Sequence, residues 1–233
     1  MASVPGGSYR APRLRARDSG RCGLTPGGRI CGVDFDNTLV SYNELLARIA
    51  RERGLLDCAV PETKRQLRDR IRRLESGEIE WQKCQALLYG PRIGEATLIE
   101  GVSRFFRLCR RERVKVYIVS HKTEFSKFDS TGTNLRTAAL QWMTAHGFFE
   151  SNGLGLTEQD VFFAATREEK IDRIATLRCT DFIDDLEETF LEESFPRNIT
   201  RILYEPGRES SAPPGVLWMN TWKEISEYFF GAS

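Results

Sequence analysis

The 233-residue chain is long enough to bury one α/β core and to carry a small accessory unit. Hydrophobic residues make up 40% of it and charged residues 29%, with a formal net charge of +1. That balance gives no global attraction to nucleic acid or to an anionic membrane surface. The longest apolar runs, residues 114–119 and 216–219, fall far short of the about 20 residues that span a bilayer.

The six cysteines, at positions 22, 31, 58, 84, 109 and 179, form no Cys-x-x-Cys pair. Only two histidines, His121 and His146, are present. A zinc site, a disulfide framework or a Ser-His-Asp triad has little to draw on, and the pattern fits a reducing, cytoplasmic setting. Residues 1–28 are a different class of sequence. Arg10, Arg13, Arg15, Arg17 and Arg21 stand against a single Asp18, with Gly, Pro and Ser between. With no apolar stretch for a secretory signal and no amphipathic face for a transit peptide, this segment reads as a disordered tail.

An apolar run from Arg29 then leads into Asp34 and reads as a buried strand with polar groups at its carboxyl end. From Asn43 to Gly90 the period becomes helical. Leu45, Leu46, Ile49 and Ala50 mark one face, and Gly54 a stop. Pro61 opens a second helix, whose stripe runs through Leu67, Ile71 and Leu74 until Ser76-Gly77. A third helix is expected from about Ile79 to Leu88, closed by Gly90-Pro91. No strand signal interrupts this stretch, so 43–95 reads as a small all-helical insert between 29–42 and 96–233.

Beyond it, strands and helices alternate. The expected helices are 102–111, 135–146, 168–177 and 222–230, and the expected strands are 114–119, 161–164 and 182–183, with weaker ones at 202–204 and 216–219. A polar loop spans 122–133. Such alternation predicts an α/β fold, a Rossmann-like parallel sheet covered by helices on both faces.

Open parallel sheets bind ligands outside the carboxyl ends of their strands. There the chain places Asp34-Phe35-Asp36-Asn37-Thr38, Ser120-His121-Lys122 and Asp184-Asp185, with Lys170 early in the helix before the last of these. Residues two apart on extended backbone project to one side, so Asp34 and Asp36 share a cleft. One carboxylate can attack an electrophile while the other moves a proton. Four such carboxylates in one cleft repel strongly, and a hard, oxygen-ligated cation such as Mg²⁺ removes the conflict. Thr38 and Ser120 can donate to phosphate oxygens, and Lys170 can offset the charge that remains. Taken singly, each motif has a plainer explanation: an Asx turn at Asp34–Thr38, helix caps at Ser120 and Asp184-Asp185, a solvated helix face at Lys170. Their joint placement is what those explanations leave out.

In order and spacing these segments resemble the four motifs of the haloacid dehalogenase superfamily, over residues 29–204. The matches are Val33-Asp34-Phe35-Asp36-Asn37-Thr38-Leu39, Tyr117-Ile118-Val119-Ser120, Lys170, and Phe182-Ile183-Asp184-Asp185. The resemblance implies a phosphatase with a helical cap formed by the insert. Asp34 would be nucleophile and metal ligand, and Asp36 the general acid/base, lending its backbone carbonyl to Mg²⁺. Asp184 and Asp185 would complete the metal shell. Asn37, Thr38, Ser120, His121 and Lys170 would hold the phosphoryl group of a small phosphorylated substrate. Asp36 argues against a dehalogenase, which needs no proton donor two residues after its nucleophile, and the insert shows no obvious lysine for a Schiff base. A phosphomutase or phosphotransferase, and a catalytically idle binding module, stay open alternatives, as does the oligomeric state.

Overall fold

Short β-branched and aromatic runs bounded by turn residues become the strands of this chain, and longer amphipathic runs its helices. In a computed structural model, residues 28–57, 62–208 and 211–231 are described. The arginine-rich segment up to residue 27 and Pro61 lie outside them. The strands are β1 (Ile30–Val33), β2 (Val40–Ser41), β3 (Thr97–Leu98), β4 (Lys115–His121), β5 (Val161–Ala164), β6 (Asp181–Asp184), β7 (Thr200–Tyr204) and β8 (Val216–Met219). The helices are α1 (Asn43–Glu52), α2 (Lys64–Arg72), α3 (Gly77–Tyr89), α4 (Val102–Arg111), α5 (Leu135–Ala145), α6 (Arg167–Thr176), α7 (Glu187–Leu191) and α8 (Trp222–Phe230).

Six strands form one sheet in the order β5-β4-β1-β6-β7-β8, and every pairing is parallel. The chain works outward from β1 to β4 and β5 on one side, then crosses to β6, β7 and β8 on the other. The strand order therefore reverses beside β1, and a crevice opens between the carboxyl ends of β1 and β6. Side chains of the two faces form two buried clusters. One gathers Cys31, Val33 and Phe35 with Phe105 of α4, Trp142 of α5 and Trp222 of α8. The other gathers Phe182 with Ile171 and Ile174 of α6 and Phe190 of α7.

Among the described residues of 43–95, α1, α2 and α3 carry the expected helices, with two differences from the expected boundaries. Thr63 caps α2, its hydroxyl accepting from the Gln66 amide while the Gln66 side chain accepts from the Thr63 amide. Because α2 ends at Arg72, Leu74 leaves the apolar stripe and is 36% exposed. Ser76 takes a left-handed conformation (φ 56°), so α3 starts at Gly77, ahead of Ile79. No periodic pattern marks β2 and β3 in the sequence. These two-residue strands pair antiparallel, Val40 with Leu98 and Ser41 with Thr97, and tie together the two points where the chain enters and leaves the insert.

Gly32 of β1 shows how closely the central strands are packed. A Cβ there would sit 2.5 Å from Cδ2 of Phe182 on β6, whereas one at Gly94 would meet nothing within 4 Å. Gly32→Ala should destabilise the protein by about 1–3 kcal/mol through overpacking, and Gly94→Ala by no more than about 0.5 kcal/mol. Urea unfolding of the two variants checks this; equal effects would contradict the packing described.

Candidate active site

The site grows from the end of β1. The Asp34 amide donates to the Ile183 carbonyl at 2.8 Å, extending the β1–β6 ladder by one step and leaving the Asp34 side chain in the crevice, 5% exposed. The chain then turns sharply. Asn37 adopts a left-handed conformation (φ 60°), which asparagine tolerates better than most residues. The Leu39 amide returns to the Phe35 carbonyl at 2.9 Å. Phe35 packs edge-on against Trp142 at 5.5 Å, and the Trp222 indole donates to the Thr38 carbonyl at 3.0 Å. Helices on one face thus hold the turn from beneath.

Asp184 ends β6 and is fully buried, with Asp185 next to it. One carboxylate oxygen from each of Asp34, Asp184 and Asp185 lies within 4.8 Å of the other two. This all-oxygen, anionic donor set fits a hard divalent cation. The Lys170 ammonium, buried on the inner side of α6, donates to Asp34 Oδ1 at 2.6 Å and to Asp184 Oδ2 at 2.8 Å. Nearby, the side-chain hydroxyls of Thr38 and Ser120 are buried and find no hydrogen-bond partner among the described residues. Buried hydroxyls are rarely left so, and two of them on the segments that follow or end β1 and β4 suit the oxygens of a tetrahedral anion.

Asp36 sits apart from the carboxylate trio. Its Oδ1 accepts from the Tyr42 hydroxyl at 2.6 Å and its Oδ2 pairs with the Lys122 ammonium at 2.8 Å. Asn37 donates its side-chain amide to Asp185 Oδ2 at 3.1 Å. From the insert, the Lys64 ammonium donates to Asn37 Oδ1, also at 3.1 Å. Lys64 further donates to the Tyr89 hydroxyl at 2.5 Å.

Solved structures share this arrangement of strands. A haloacid dehalogenase-like hydrolase of Streptococcus pneumoniae superposes with a TM-score of 0.54 at 14% identity, covering 88% of this chain and 100% of that one. A HAD hydrolase of Bacillus subtilis, YfnB, solved bound to magnesium, superposes with a TM-score of 0.52 at 13% identity, covering 87% and 98%. A HAD-superfamily hydrolase of Geobacter sulfurreducens, subfamily IA, gives 0.51 at 14% identity, covering 86% and 96%. The chain has the haloacid dehalogenase-like fold. No family model matches the sequence, and no curated protein matches it either.

Within this fold, Asp34, Lys170, Asp184 and Asp185 converge directly, and Thr38 and Ser120 lie buried with free hydroxyls. The Asn37 side chain is occupied in bridging Asp185 to Lys64. His121 does not join them: it is exposed, and its Nε2 meets the Ala165 carbonyl at 3.0 Å. The reason is the alternation of β4, which sends His121 to the side opposite Ser120 and brings Lys122, 4% exposed, to the Ser120 side. The sequence motifs name Lys122 without a role and leave out Tyr42, Lys64 and Tyr89. The i, i+2 relation that singles out Asp34 and Asp36 applies equally to Ser120 and Lys122 and could have found that lysine. For Lys64 and Tyr89, carried on separate helices of the insert, no local signal exists.

Burial dominates the electrostatics. It pushes the Asp34 carboxyl up to about 7; Lys170 opposes the shift, while Asp184 and Asp36 add to it. Asp185 is likewise raised, by burial and then by Asp184 and Asp34. Burial alone would lower Lys170 and Lys64. Asp184 and Asp34 outweigh it at the first, and Tyr89, Asp185 and Asp36 at the second, so both ammoniums are held above the usual lysine value. Burial and Asp36 raise the Tyr42 phenol, which keeps its proton and donates it to Asp36.

A carboxyl raised on folding contributes stability that is fully present below its unfolded value and is lost as pH rises through its folded value. For Asp34 the window runs from 3.8 to about 7. The raised lysines act only at more alkaline pH. The metal-free protein should therefore lose thermal stability between about pH 4 and pH 7, and added Mg²⁺ should restore more of it at the upper end, where Asp34 is ionised. Differential scanning calorimetry with and without Mg²⁺ tests this; a larger Mg²⁺ shift at the acid end would overturn it.

Proposed function

We propose that the chain is a Mg²⁺-dependent phosphatase that hydrolyses a small phosphorylated metabolite through an aspartyl-phosphate on Asp34. The observation that carries this reading is the Asp34 carboxylate itself. One of its oxygens is held by Lys170, its neighbours Asp184 and Asp185 complete an oxygen-donor trio, and two unpartnered buried hydroxyls lie close by. Magnesium in a structure of the same fold supports the choice of ion.

Asp34, Asp184 and Asp185 would hold Mg²⁺, which would supply the positive charge that offsets repulsion between these carboxylates and a phosphoryl group. An Asp34 oxygen attacks phosphorus, and the bond to the leaving oxygen breaks in line with it. Asp36, oriented by Tyr42 and Lys122, gives the proton that the leaving oxygen needs. In the second half Asp36 takes a proton from water as that water attacks the phosphorus of aspartyl-phosphate, which frees phosphate and restores Asp34. Thr38 and Ser120 donate to the phosphoryl oxygens, and Lys170 offsets their charge. Residues 29–42 and 96–233 form the catalytic core, and the helices of 43–95 serve as a cap that covers the site and selects substrate. Among the described residues, Cys31, Cys84, Cys109 and Cys179 are buried and unpaired, which supports a reducing, cytoplasmic setting. No helix of the described residues is long and apolar enough to cross a membrane.

With a generic aryl phosphate and Mg²⁺, Asp34→Asn should lower kcat by about 10⁴-fold or more. Asp36→Asn should lower it by about 10²–10⁴-fold with little change in substrate affinity. Intact turnover by Asp34→Asn would show the nucleophile to be misassigned, and a loss confined to affinity would remove Asp36 from proton transfer. Ser120→Ala separates function from folding. Its hydroxyl is buried without a partner, so removal should leave the protein as stable or up to about 1 kcal/mol more stable, while kcat/KM drops by about tenfold or more. Unfolding and steady-state kinetics on one preparation would show both effects, and a loss of stability with unchanged activity would assign Ser120 to the core.

A further inference from the structure

Lys64 is the first residue of α2, and its backbone is fixed independently of its ammonium. Thr63 caps the helix, and the Lys64 amide donates to Asn43 Oδ1 at 2.7 Å. The side chain runs back toward the crevice, where it meets only neutral acceptors: Asn37 Oδ1 at 3.1 Å and the Tyr89 hydroxyl at 2.5 Å. The other two lysines of the site differ. Lys122 is paired with Asp36, and Lys170 with Asp34 and Asp184. Lys64 forms no ion pair among the described residues and, of its three donor positions, uses two. Asp185 and Asp36 help to keep it charged, yet no carboxylate among the described residues bonds to it, so its third donor position is open to an incoming anion.

Its position says which part of a substrate that would be. In an in-line displacement the leaving oxygen points away from the attacking Asp34 oxygen, toward the proton donor Asp36. From Asp36 a continuous set of contacts runs to Lys64. The Tyr42 hydroxyl donates to Asp36 at 2.6 Å, and the Tyr42 and Tyr89 rings meet edge-on at 5.2 Å. Lys64 stands 5.3 Å from the Tyr42 ring centre and 4.9 Å from that of Tyr89, while Lys122 lies 4.8 Å from Tyr89. The region beyond the leaving oxygen is thus bounded by two tyrosine rings and by the one ammonium of the three without a carboxylate.

We propose that Lys64 binds a second anionic group on the leaving half of the substrate, so that the preferred substrates are phosphomonoesters whose alcohol carries its own carboxylate or phosphate. This rests on the phosphatase reading of the site and narrows it. A carboxylate and a phosphate share the chemistry that Lys64 recognises, and matched esters distinguish them.

The full-length protein with Mg²⁺ is assayed on propyl phosphate, on 2-carboxyethyl phosphate of the same length, and on propane-1,3-diyl bisphosphate. At least one of the charged esters should exceed propyl phosphate in kcat/KM by about tenfold or more, and the better one identifies the group. Lys64→Met should bring that ratio close to one, chiefly through KM, and Lys64→Arg should retain part of it. Equal turnover of all three esters by the wild type, or an equal fractional loss on all three in Lys64→Met, would reduce Lys64 to a counter-charge for Asp185 and sink the proposal. The wild-type ratio decides alone where the methionine variant does not fold. Turnover of 4-nitrophenyl phosphate without preference for charged esters defeats this inference only, whereas no phosphate release from any ester defeats the phosphatase reading and this one with it.

Discussion

Mutual repulsion of carboxylates is the constraint that shapes this end of the molecule. Asp34, Asp184 and Asp185 crowd their oxygens within 4.8 Å at the carboxyl ends of two adjacent parallel strands, and Asp36 follows two residues after the first of them. In a buried crevice such charges interact far more strongly than in water. Ammonium groups compensate, and each reaches in from a different part of the chain: Lys170 from α6, Lys122 from the end of β4, and Lys64 from the helical insert. Burial, with the neighbouring carboxylates adding to it, still makes Asp34 and Asp185 hold their protons more tightly than ordinary carboxyls. What remains is an anionic, oxygen-rich pocket with a lysine against Asp34, a donor set that suits a divalent cation.

Rigidity beneath the pocket follows from packing. The turn carrying Asp34 to Thr38 rests on Phe35 and Trp142 and is tied to α8 by the Trp222 indole. Gly32 lets β6 approach so closely that Phe182 occupies the space of its missing side chain. Packing of this kind preorganises the Asp34 turn, as the proposed attack by Asp34 requires. Unpaired Thr38 and Ser120 hydroxyls are its local cost, a few kcal/mol of stability held in reserve for a ligand's oxygens.

Most of the core was legible because its elements are strongly periodic. The boundaries of α4, β5, β8 and α8 follow directly from apolar patterns that begin and end on turn residues. The β2–β3 ribbon was not, since two-residue strands carry too few side chains to show a period and their partners lie on either side of the insert. At the site, Asp34 and Asp36 could be read from local spacing. Lys170 could not, since taken alone it reads as a solvated helix face; only its place in the order of the motifs singles it out, and its burial beside Ile171 and Ile174 shows in the fold. His121 was misplaced where strand alternation, carried one residue further, selects Lys122. Lys64, Tyr42 and Tyr89 meet only through the tertiary approach of α2 and α3 to the Asp34 turn, a relation that no short window of sequence contains.

In the proposed mechanism Asp34 itself carries the phosphoryl group. Acid-quenching the protein during turnover with Mg²⁺ and reducing it with borohydride converts an aspartyl-phosphate to homoserine, which peptide sequencing by mass spectrometry locates. The account predicts homoserine at position 34 in a Mg²⁺-dependent yield. Homoserine at position 36, 184 or 185, or none at all while phosphate is being released, would contradict it.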